Sequence, residues 1–230
     1  AIINSETNCI SCNRAKGKLK NLINNLNDQN IPGTVGIGHT RWATHGKVML
    51  QNTHPILSEN VAVVHNGIIE NHDLIRSELK EKNVVFETTT DTEVIPHLLN
   101  ISIKKTNNFF DACASVVNKI KGAYAFAAIH SLNEEIFVAR RTSPLVLGIG
   151  DGYNIVGSDA QSISQIVSEV IYLNDGDYAI LNKTKIQIYD SNNKKVEREK
   201  INIKSSLNFL NKDGFKHFME KEIHEQPNVL

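Results

Sequence analysis

The stretch V-A-V-V-H-N-G at residues 61–67 decides how this sequence folds. It opens on an apolar run, as expected of a buried strand, and reaches His65 before Asn-Gly. Asn-Gly is the strongest short-range signal for a hairpin turn, and that interpretation stays open. From Glu70 onward, however, the residues are polar and lead into a predicted helix rather than a returning strand. We therefore predict a strand that stops at Asn66 and Gly67, where a side-chain amide and a backbone N–H would offer two donors to an oxyanion.

The rest of the sequence places helices towards the front of the chain and closely spaced strands behind them. Apolar spacing predicts helices at residues 16–27, 73–82 and 92–101. The predicted strands are residues 1–3, 35–42, 61–65, 124–130, 136–140, 145–149, 154–157, 177–181 and 185–189. Residues 43–60 are expected to form an ordered loop, and residues 215–223 an amphipathic helical segment. Short connections between strands favour antiparallel pairing, so we predict an α+β fold of stacked layers.

Composition excludes several classes of function. The 230 residues carry 25 Lys+Arg against 25 Asp+Glu, so no net field would attract nucleic acid or an anionic membrane. No apolar run approaches the roughly 20 residues that cross a bilayer. An odd number of cysteines, 3, argues against a secreted disulfide framework. We expect a cytoplasmic protein of one large or two small domains whose partner is a small molecule or another protein.

A second group of chemically active residues, G-H-T-R-W-A-T-H-G, occupies residues 38–46. The planar guanidinium of Arg41 suits a carboxylate ligand, and a strand end projects side chains into a cleft. A core tryptophan beside a surface salt bridge explains the same residues, and both interpretations stay open. Asp91 is most simply the cap of the following helix. A carboxylate there would also hold an ammonium group, so Arg41 and Asp91 together would match an amino-acid zwitterion.

Two other motifs point to different chemistry. Cys9 and Cys12 form a lone C-x-x-C pair between a predicted strand and a predicted helix, which leaves a thiol-redox or non-catalytic binding domain as an alternative. Five of the 9 histidines fall at residues 39–72, but their spacing matches no metal-binding pattern. We therefore expect structural or substrate-orienting imidazoles, and neither a metal nor another cofactor.

Several motifs, taken in order, resemble the glutaminase domain of the glutamine-fructose-6-phosphate aminotransferases (isomerizing). The four main motifs are H-T-R-W-A-T-H-G (39–46), H-P (54–55), V-V-H-N-G-I-I-E-N (63–71) and T-D-T-E-V (90–94). The similarity continues through K-G-A-Y (121–124), S-P-L (143–145), S-D (158–159) and G-D (176–177). The tail K-H-F-M-E-K-E-I-H-E-Q-P (216–227) resembles the hinge that joins this domain to a sugar isomerase domain.

The resemblance implies a four-layer αββα sandwich of the N-terminal nucleophile type that hydrolyses L-glutamine to glutamate and ammonia. The ammonia would convert fructose 6-phosphate to glucosamine 6-phosphate, although a different acceptor stays possible. Asn66 and Gly67 would form the oxyanion hole, Arg41 would bind the glutamine α-carboxylate and Asp91 its α-ammonium. Residues implied to line the pocket are Trp42, Thr44 and His45, and those implied to support it are His54 and His65.

In the resembled family the nucleophile is a cysteine that begins the mature chain, and its own amine is the base. This sequence begins at Ala1, and the resemblance assigns that role to none of Cys9, Cys12 and Cys113. We therefore expect the 230 residues alone to be inactive, with the N-terminal part of the fold missing. Residues 1–205 would be the glutaminase domain and residues 206–230 the start of the hinge. The implied partners are L-glutamine, the isomerase domain of the same parent chain, and a second copy through that domain.

Overall fold

A computed structural model of the chain describes residues 1–26, 31–41, 49–203 and 214–229. The helices are α1 (Leu19–Leu26), α2 (His72–Glu81), α3 (Val94–Thr106), α4 (Phe109–Lys119), α5 (Ala160–Ile163) and α6 (Phe218–Val229). Two short 3-10 turns lie at Leu50–Asn52 and Asp91–Glu93. Among the helices within these ranges, none combines the length and apolar character needed to cross a membrane.

In the described part of the chain, thirteen strands accompany these helices. The first six are β1 (Ile2–Asn4), β2 (Cys9–Ser11), β3 (Ile56–Ser58), β4 (Val61–Ile69), β5 (Gly122–His130) and β6 (Ile136–Arg141). They are followed by β7 (Val146–Ile149), β8 (Asn154–Gly157), β9 (Glu169–Tyr172), β10 (Tyr178–Leu181), β11 (Ile186–Tyr189), β12 (Lys195–Val196) and β13 (Lys200–Asn202). Within the described ranges they form a hairpin of β1 and β2, a seven-stranded sheet and a four-stranded sheet.

The seven-stranded sheet has the order β12-β11-β10-β6-β5-β4-β3, and every neighbouring pair is antiparallel. β4 and β5 pair along their whole length, from Val61 opposite His130 to Ile69 opposite Gly122. The four-stranded sheet has the order β13-β9-β7-β8 and is also antiparallel. This pairing confirms the antiparallel arrangement predicted from the short connections.

Alternation along β5 divides the core into two layers. Tyr124 and Phe126 point into a cluster with α2, α3 and α4. Ala125 and Ala127, on the opposite face, meet the second sheet through residues such as Leu147. Because alternate side chains of a strand face opposite ways, one strand serves both layers. Aromatic rings fill the space beneath the helices, while alanines leave room for a second sheet.

A third cluster closes the other side of the molecule. Val146 and Val170 of the second sheet pack against Ile163 of α5 and against Ile203. The order of layers is therefore α2 to α4, the seven-stranded sheet, the four-stranded sheet and α5. This is the αββα arrangement that the resemblance implied, and the α+β prediction is confirmed.

The predicted strand at residues 35–42 is wrong for its described part, residues 35–41. That segment makes only an isolated bridge from Gly36 to Ile2. Its backbone runs close to β1, since a Cβ on Gly36 would lie 3.1 Å from the carbonyl oxygen of Ala1 and 3.2 Å from the side chain of Ile2. Glycines permit this close approach but weaken a regular strand, which explains why the ladder does not continue.

The expectation that the strand at residues 61–65 stops at Asn66 and Gly67 is also wrong. β4 continues in register to Ile69, and no hairpin turn forms at Asn-Gly. Part of the predicted loop at residues 43–60 is a strand too, because residues 56–58 pair with the start of β4. The remaining predicted helices and strands among the described residues are present, but α3 continues past the predicted end at residue 101 to Thr106, and α6 past residue 223 to Val229.

Candidate active site

The site is built at the end of β4, where the sheet edge is open beyond the short strand β3. Asn66 and Gly67 are exposed there, although the residues before them are largely buried. Gly67 has φ 111°, and a Cβ at this position would lie 2.1 Å from the carbonyl oxygen of Ala123 on β5. Only glycine fits between the two backbones, so the close approach of β4 and β5 fixes the local backbone.

Asp91 lies beside the same strand end. Its Oδ2 accepts a hydrogen bond of 2.8 Å from the backbone N–H of Ile69. The interpretation of Asp91 as a helix cap is therefore wrong. Its carboxylate accepts from a backbone N–H of β4, and no side chain among the described residues caps the first turn of the following helix. The side chain remains 21% exposed, which leaves it accessible to a ligand.

A buried carboxylate, that of Glu93, fixes the segment that carries Asp91. Glu93, 1% exposed, accepts hydrogen bonds from the backbone N–H groups of Glu87 at 2.7 Å and Thr88 at 2.8 Å. His97 Nε2 lies 3.5 Å from the same carboxylate. Burial alone would raise the pKa of Glu93, but the nearby His97 ring and the hydrogen bonds from Glu87 and Thr88 outweigh it and hold that pKa below its ordinary value.

Arg76 of α2 fixes the same segment from the other side. Its guanidinium donates to the carbonyl oxygens of Thr88 at 3.2 Å and Thr90 at 2.6 Å, and stacks 4.2 Å above the ring of Phe86. It also lies 3.8 Å from the Glu93 carboxylate. An arginine with a planar fork can make all these contacts at once. The position of Asp91 thus depends on a preorganised polar network rather than on a mobile loop.

Three imidazoles surround the back of the site. His65 Nδ1 lies 2.9 Å and His54 Nε2 lies 3.1 Å from one shared atom, the hydroxyl oxygen of Thr92. His65 Nδ1 is also 4.0 Å from Asp91 Oδ2. The ring of His39 stacks on that of His54 with centroids 4.6 Å apart. The predicted supporting role of His54 and His65 fits this placement and stays a prediction.

These imidazoles are kept neutral. Burial lowers the pKa of His54 to about 3, with His39, His65, Arg41 and Arg14 acting in the same direction. Burial also lowers the pKa of His65 to about 4, although the neighbouring Asp91 carboxylate opposes the shift. At neutral pH the cluster therefore offers directed hydrogen bonds without adding positive charge beside Arg41.

The remaining predicted residues divide into two groups. Arg41 is among the described residues. Burial is the largest cause of the lowered pKa of His39 and of His54, and the charge of Arg41 lowers both pKa values further. Arg41 therefore lies near the imidazole cluster. Trp42, Thr44 and His45 lie outside the described residues. The structure thus brings Asn66, Gly67 and Asp91 together at one strand end, with the supporting histidines behind them.

Sequence reasoning gave no individual role to three residues that shape the site, namely His39, Thr92 and Glu93. His39 Nε2 lies 2.7 Å from Asn66 Oδ1, a contact between segments 27 residues apart. Thr92 and Glu93 follow Asp91 in the same short turn. The available signal was a threonine and a glutamate directly after Asp91, but their partners became apparent only in three dimensions.

The cysteines lie in other parts of the fold. Cys113 is fully buried in the helical layer, and burial raises its pKa well above the ordinary value. Cys9 lies on β2 and Cys12 just beyond it, and both are free thiols. Within the described ranges, no three His, Cys, Asp or Glu side chains are arranged so that they could hold a metal ion.

The sequence matches the family described as "Glutamine amidotransferase domain" over residues 39–165, a range that includes the whole strand-end site. The chain belongs to the glutamine amidotransferase domain family. Among curated relatives it is similar to the glutamine–fructose-6-phosphate aminotransferase (isomerizing) of Bradyrhizobium diazoefficiens. The two are 43% identical over 218 residues, which cover 94% of this chain and 36% of that one.

A second relative of the same printed name, from Idiomarina loihiensis, is 43% identical over 229 residues and covers 99% of this chain and 37% of its own. The chain thus spans little more than a third of the length of these relatives. Their names and coverage confirm the resemblance recognised in the motifs.

Two solved structures share the fold. The glutamine phosphoribosylpyrophosphate amidotransferase from B. subtilis, complexed with ADP and GMP, is 26% identical with a TM-score of 0.56, covering 66% of this chain and 34% of that one. A structure described as the allosteric regulatory enzyme of purine biosynthesis is 27% identical with a TM-score of 0.63, covering 76% and 38%. Together with the αββα layers, these neighbours confirm a fold of the N-terminal nucleophile type.

We expect Gly67→Ala to destabilise the fold by roughly 3 kcal/mol or more. The alanine Cβ would clash with the Ala123 carbonyl, and alanine would be strained at φ 111°. Gly152 is a matched control, because it has φ 75° but nothing within 4 Å of an added Cβ. Gly152→Ala should cost only about 1 to 2 kcal/mol. Urea unfolding of both variants measures the difference. Equal losses would contradict the close backbone approach described for Gly67.

The neutral histidines predict a pH dependence of stability. His54 and His65 have folded-state pKa values of about 3 and about 4, below the ordinary 6.5, so the unfolded chain binds more protons than the folded one between these values. The contribution of these two histidines to the free energy of unfolding should therefore be complete above pH 6.5. It should decrease as the pH drops towards 4. Each histidine contributes at most about 1.4 kcal/mol per pH unit. Urea unfolding at a series of pH values measures the slope.

His65→Asn tests which residue causes that slope, because the Asn side-chain amide can keep a hydrogen bond to Thr92 but cannot titrate. The variant should show a shallower fall between pH 6.5 and 4 than the wild type. His217→Gln, which changes an exposed histidine outside the cluster, is the control and should keep the wild-type slope. A wild-type slope in His65→Asn would rule out His65 as a source.

Proposed function

We propose that this chain is the glutaminase domain of an enzyme that hydrolyses L-glutamine to glutamate and ammonia. The observation that carries the proposal is the 2.8 Å bond between Asp91 and Ile69, which places a carboxylate beside the Asn66-Gly67 strand end. The proposed ammonium ligand then lies beside the two proposed oxyanion donors, the Asn66 amide and the Gly67 N–H. Membership of the glutamine amidotransferase domain family supports the same reaction.

Recognition of the amino acid rests on two opposite charges. Asp91 would bind the α-ammonium. The bond from Ile69 to one carboxylate oxygen holds the side chain in place, and its partial exposure leaves the carboxylate accessible to the ligand. Arg41 would bind the α-carboxylate through its planar fork. Trp42, Thr44 and His45 would line the pocket between them. The neutral state of His54 and His65 is compatible with this arrangement, because added positive charge would compete with the ammonium for Asp91.

The chemistry requires a thiolate and an oxyanion hole. A thiolate sulfur would attack the side-chain amide carbon of glutamine, forming a C–S bond while the carbonyl electrons move to oxygen. The Asn66 amide and the Gly67 N–H would stabilise that oxyanion. Its collapse breaks the C–N bond and releases ammonia, and water then hydrolyses the thioester to glutamate and the free thiol. In this proposal the thiol belongs to a cysteine outside the 230 residues, whose own amine moves the proton.

The names of the relatives support a particular acceptor for the ammonia. We propose fructose 6-phosphate, converted to glucosamine 6-phosphate in the cytoplasm by a sugar isomerase domain of the same parent chain. The relatives from Bradyrhizobium diazoefficiens and Idiomarina loihiensis are both named glutamine–fructose-6-phosphate aminotransferase (isomerizing). Residues 1–205 would then be the glutaminase domain and residues 206–230 the start of the hinge, where α6 exposes Met219 and Ile223. Pairing of two copies would occur through the isomerase domain.

An assay of the complete parent chain distinguishes this acceptor from others. With glutamine present, fructose 6-phosphate should be consumed and glucosamine 6-phosphate formed in equal amounts with glutamate. Glutamate release with no product from fructose 6-phosphate would keep the glutaminase and exclude this acceptor. Absence of glutamate release would exclude the glutaminase itself.

We expect Asp91→Asn, made in the complete parent chain, to raise the KM for glutamine by about tenfold or more, because charge-assisted hydrogen bonds contribute about 1.5 to 3 kcal/mol. The substitution keeps the shape of the side chain and an oxygen for the Ile69 N–H. The KM for free ammonia should stay unchanged, since ammonia bypasses this site. Steady-state kinetics with each nitrogen donor make the comparison.

Asp73→Asn is the matched control, because that carboxylate is 90% exposed on α2 and takes no part in the proposed site. It should leave both KM values at the wild-type level. If Asp91→Asn changed the KM for glutamine and the KM for ammonia by the same factor, the assignment of the α-ammonium to Asp91 would be wrong.

A further inference from the structure

A hydrogen bond joins His39 to Asn66, one of the two proposed oxyanion donors. His39 lies in the segment that precedes Arg41, and its Nε2 is 2.7 Å from Asn66 Oδ1. Asn66 itself is exposed on β4, so packing does not restrict its amide. Among the described residues, His39 is the side chain that orients it. The orientation matters because the two ends of an amide have opposite hydrogen-bonding character.

An asparagine amide can occupy two positions that differ by half a turn about its last bond. In one, Nδ2 faces the cleft and can donate to an oxyanion. In the other, Oδ1 faces the cleft and would repel the same negative charge. The Gly67 N–H belongs to the backbone, which the close approach to Ala123 fixes. The Asn66 donor is on a side chain, which the backbone does not fix in this way. A neighbouring group must therefore select its orientation.

The protonation of His39 determines which orientation it selects. Burial lowers the pKa of His39, Arg41 lowers it further, and the hydrogen bond to Asn66 only partly opposes both effects. The ring is therefore neutral at neutral pH and carries one N–H. If that proton is on Nε2, the ring donates to Asn66 Oδ1 and leaves Nδ1 as a bare acceptor. If it is on Nδ1, the ring accepts from the Asn66 amide instead.

The surroundings of His39 favour the first state. Nδ1 is buried and has no hydrogen-bond partner among the described residues. A buried N–H without a partner is rarer in proteins, and less favourable, than an acceptor without one. The proton is therefore better placed on Nε2, where the 2.7 Å contact to Asn66 satisfies it. This state turns the Asn66 Nδ2 away from His39 and towards the cleft.

The ring of His39 is itself held in place. It stacks on His54 with centroids 4.6 Å apart and an interplanar angle of 38°. His54 Nε2 is in turn hydrogen-bonded to the hydroxyl of Thr92, the residue that follows Asp91 in the chain. The imidazole that orients Asn66 is thus connected through His54 to the turn that carries the proposed ammonium ligand.

We propose that His39 is a positioning residue that donates from Nε2 to Asn66 Oδ1 and so presents Asn66 Nδ2 to the oxyanion. The inference rests on the proposed function of Asn66 as an oxyanion donor. It assigns His39 no contact with glutamine. Loss of His39 should therefore lower kcat for glutamine hydrolysis without weakening the binding of glutamine.

The test compares two substitutions of His39 in the complete parent chain. His39→Leu removes the donor and should lower kcat for glutamate release by about tenfold or more, with the KM for glutamine within about twofold of wild type. His39→Gln places an amide N–H near the position of Nε2 and should recover most of the lost kcat. A wild-type kcat in His39→Leu, or an equal loss in both variants, would overturn the proposal.

Asn66→Ala separates this inference from the proposed function. It should lower kcat by about 100-fold to 1,000-fold, and adding His39→Leu to it should then cost nothing more. If His39→Leu lowers kcat by the same factor with and without Asn66, His39 acts independently and the positioning role is wrong, while the oxyanion role of Asn66 stands. If Asn66→Ala keeps the wild-type kcat, Asn66 is not a donor and both assignments fail.

A measurement on the unsubstituted protein removes any dependence on folding of the variants. Long-range ¹H–¹⁵N correlation spectra distinguish a histidine that carries its proton on Nε2 from one that carries it on Nδ1. At pH 7 His39 should show the Nε2–H form. The Nδ1–H form would overturn the proposal, because that ring cannot donate to Asn66 Oδ1.

Discussion

The hydrogen bond from the Ile69 N–H to the Asp91 carboxylate joins the edge of the seven-stranded sheet to the helical layer, and the site depends on it. At 2.8 Å it holds a charged group beside the end of β4. The bond is possible because Glu93 and Arg76 fix the backbone that precedes Asp91, at Glu87, Thr88 and Thr90. A buried carboxylate that accepts several N–H groups and faces an arginine is costly to rearrange. The rigid turn therefore positions Asp91 before any ligand arrives.

Neutral histidines give the site a second property. Each imidazole behind the strand end has a lowered pKa, with burial as the largest cause. A neutral imidazole donates from one nitrogen and accepts at the other, so a cluster of them can specify directions. In this fold the direction matters at Asn66, whose amide would otherwise turn freely. Positive charge is left to Arg41, where an amino-acid carboxylate would need it.

Much of this arrangement was predictable from the sequence, and the rest was not for identifiable reasons. The strand predicted at residues 124–130 corresponds to β5, and the motifs around Asn66 and Asp91 predicted the site. The continuation of β4 past Asn66 was missed because Asn-Gly usually marks a turn, whereas here Gly67 allows close backbone approach. The contact of His39 with Asn66 joins distant segments, and no local pattern encodes it.

The most direct test of the proposed glutamine site is a crystal structure of the full-length protein with L-glutamate, the proposed product, bound. The proposed site predicts the glutamate α-ammonium at Asp91, its α-carboxylate at Arg41 and its side-chain carboxylate between Asn66 Nδ2 and the Gly67 N–H. Glutamate bound elsewhere, or bound in this cleft with its two ends exchanged, would contradict the proposal that the end of β4 is a glutamine site.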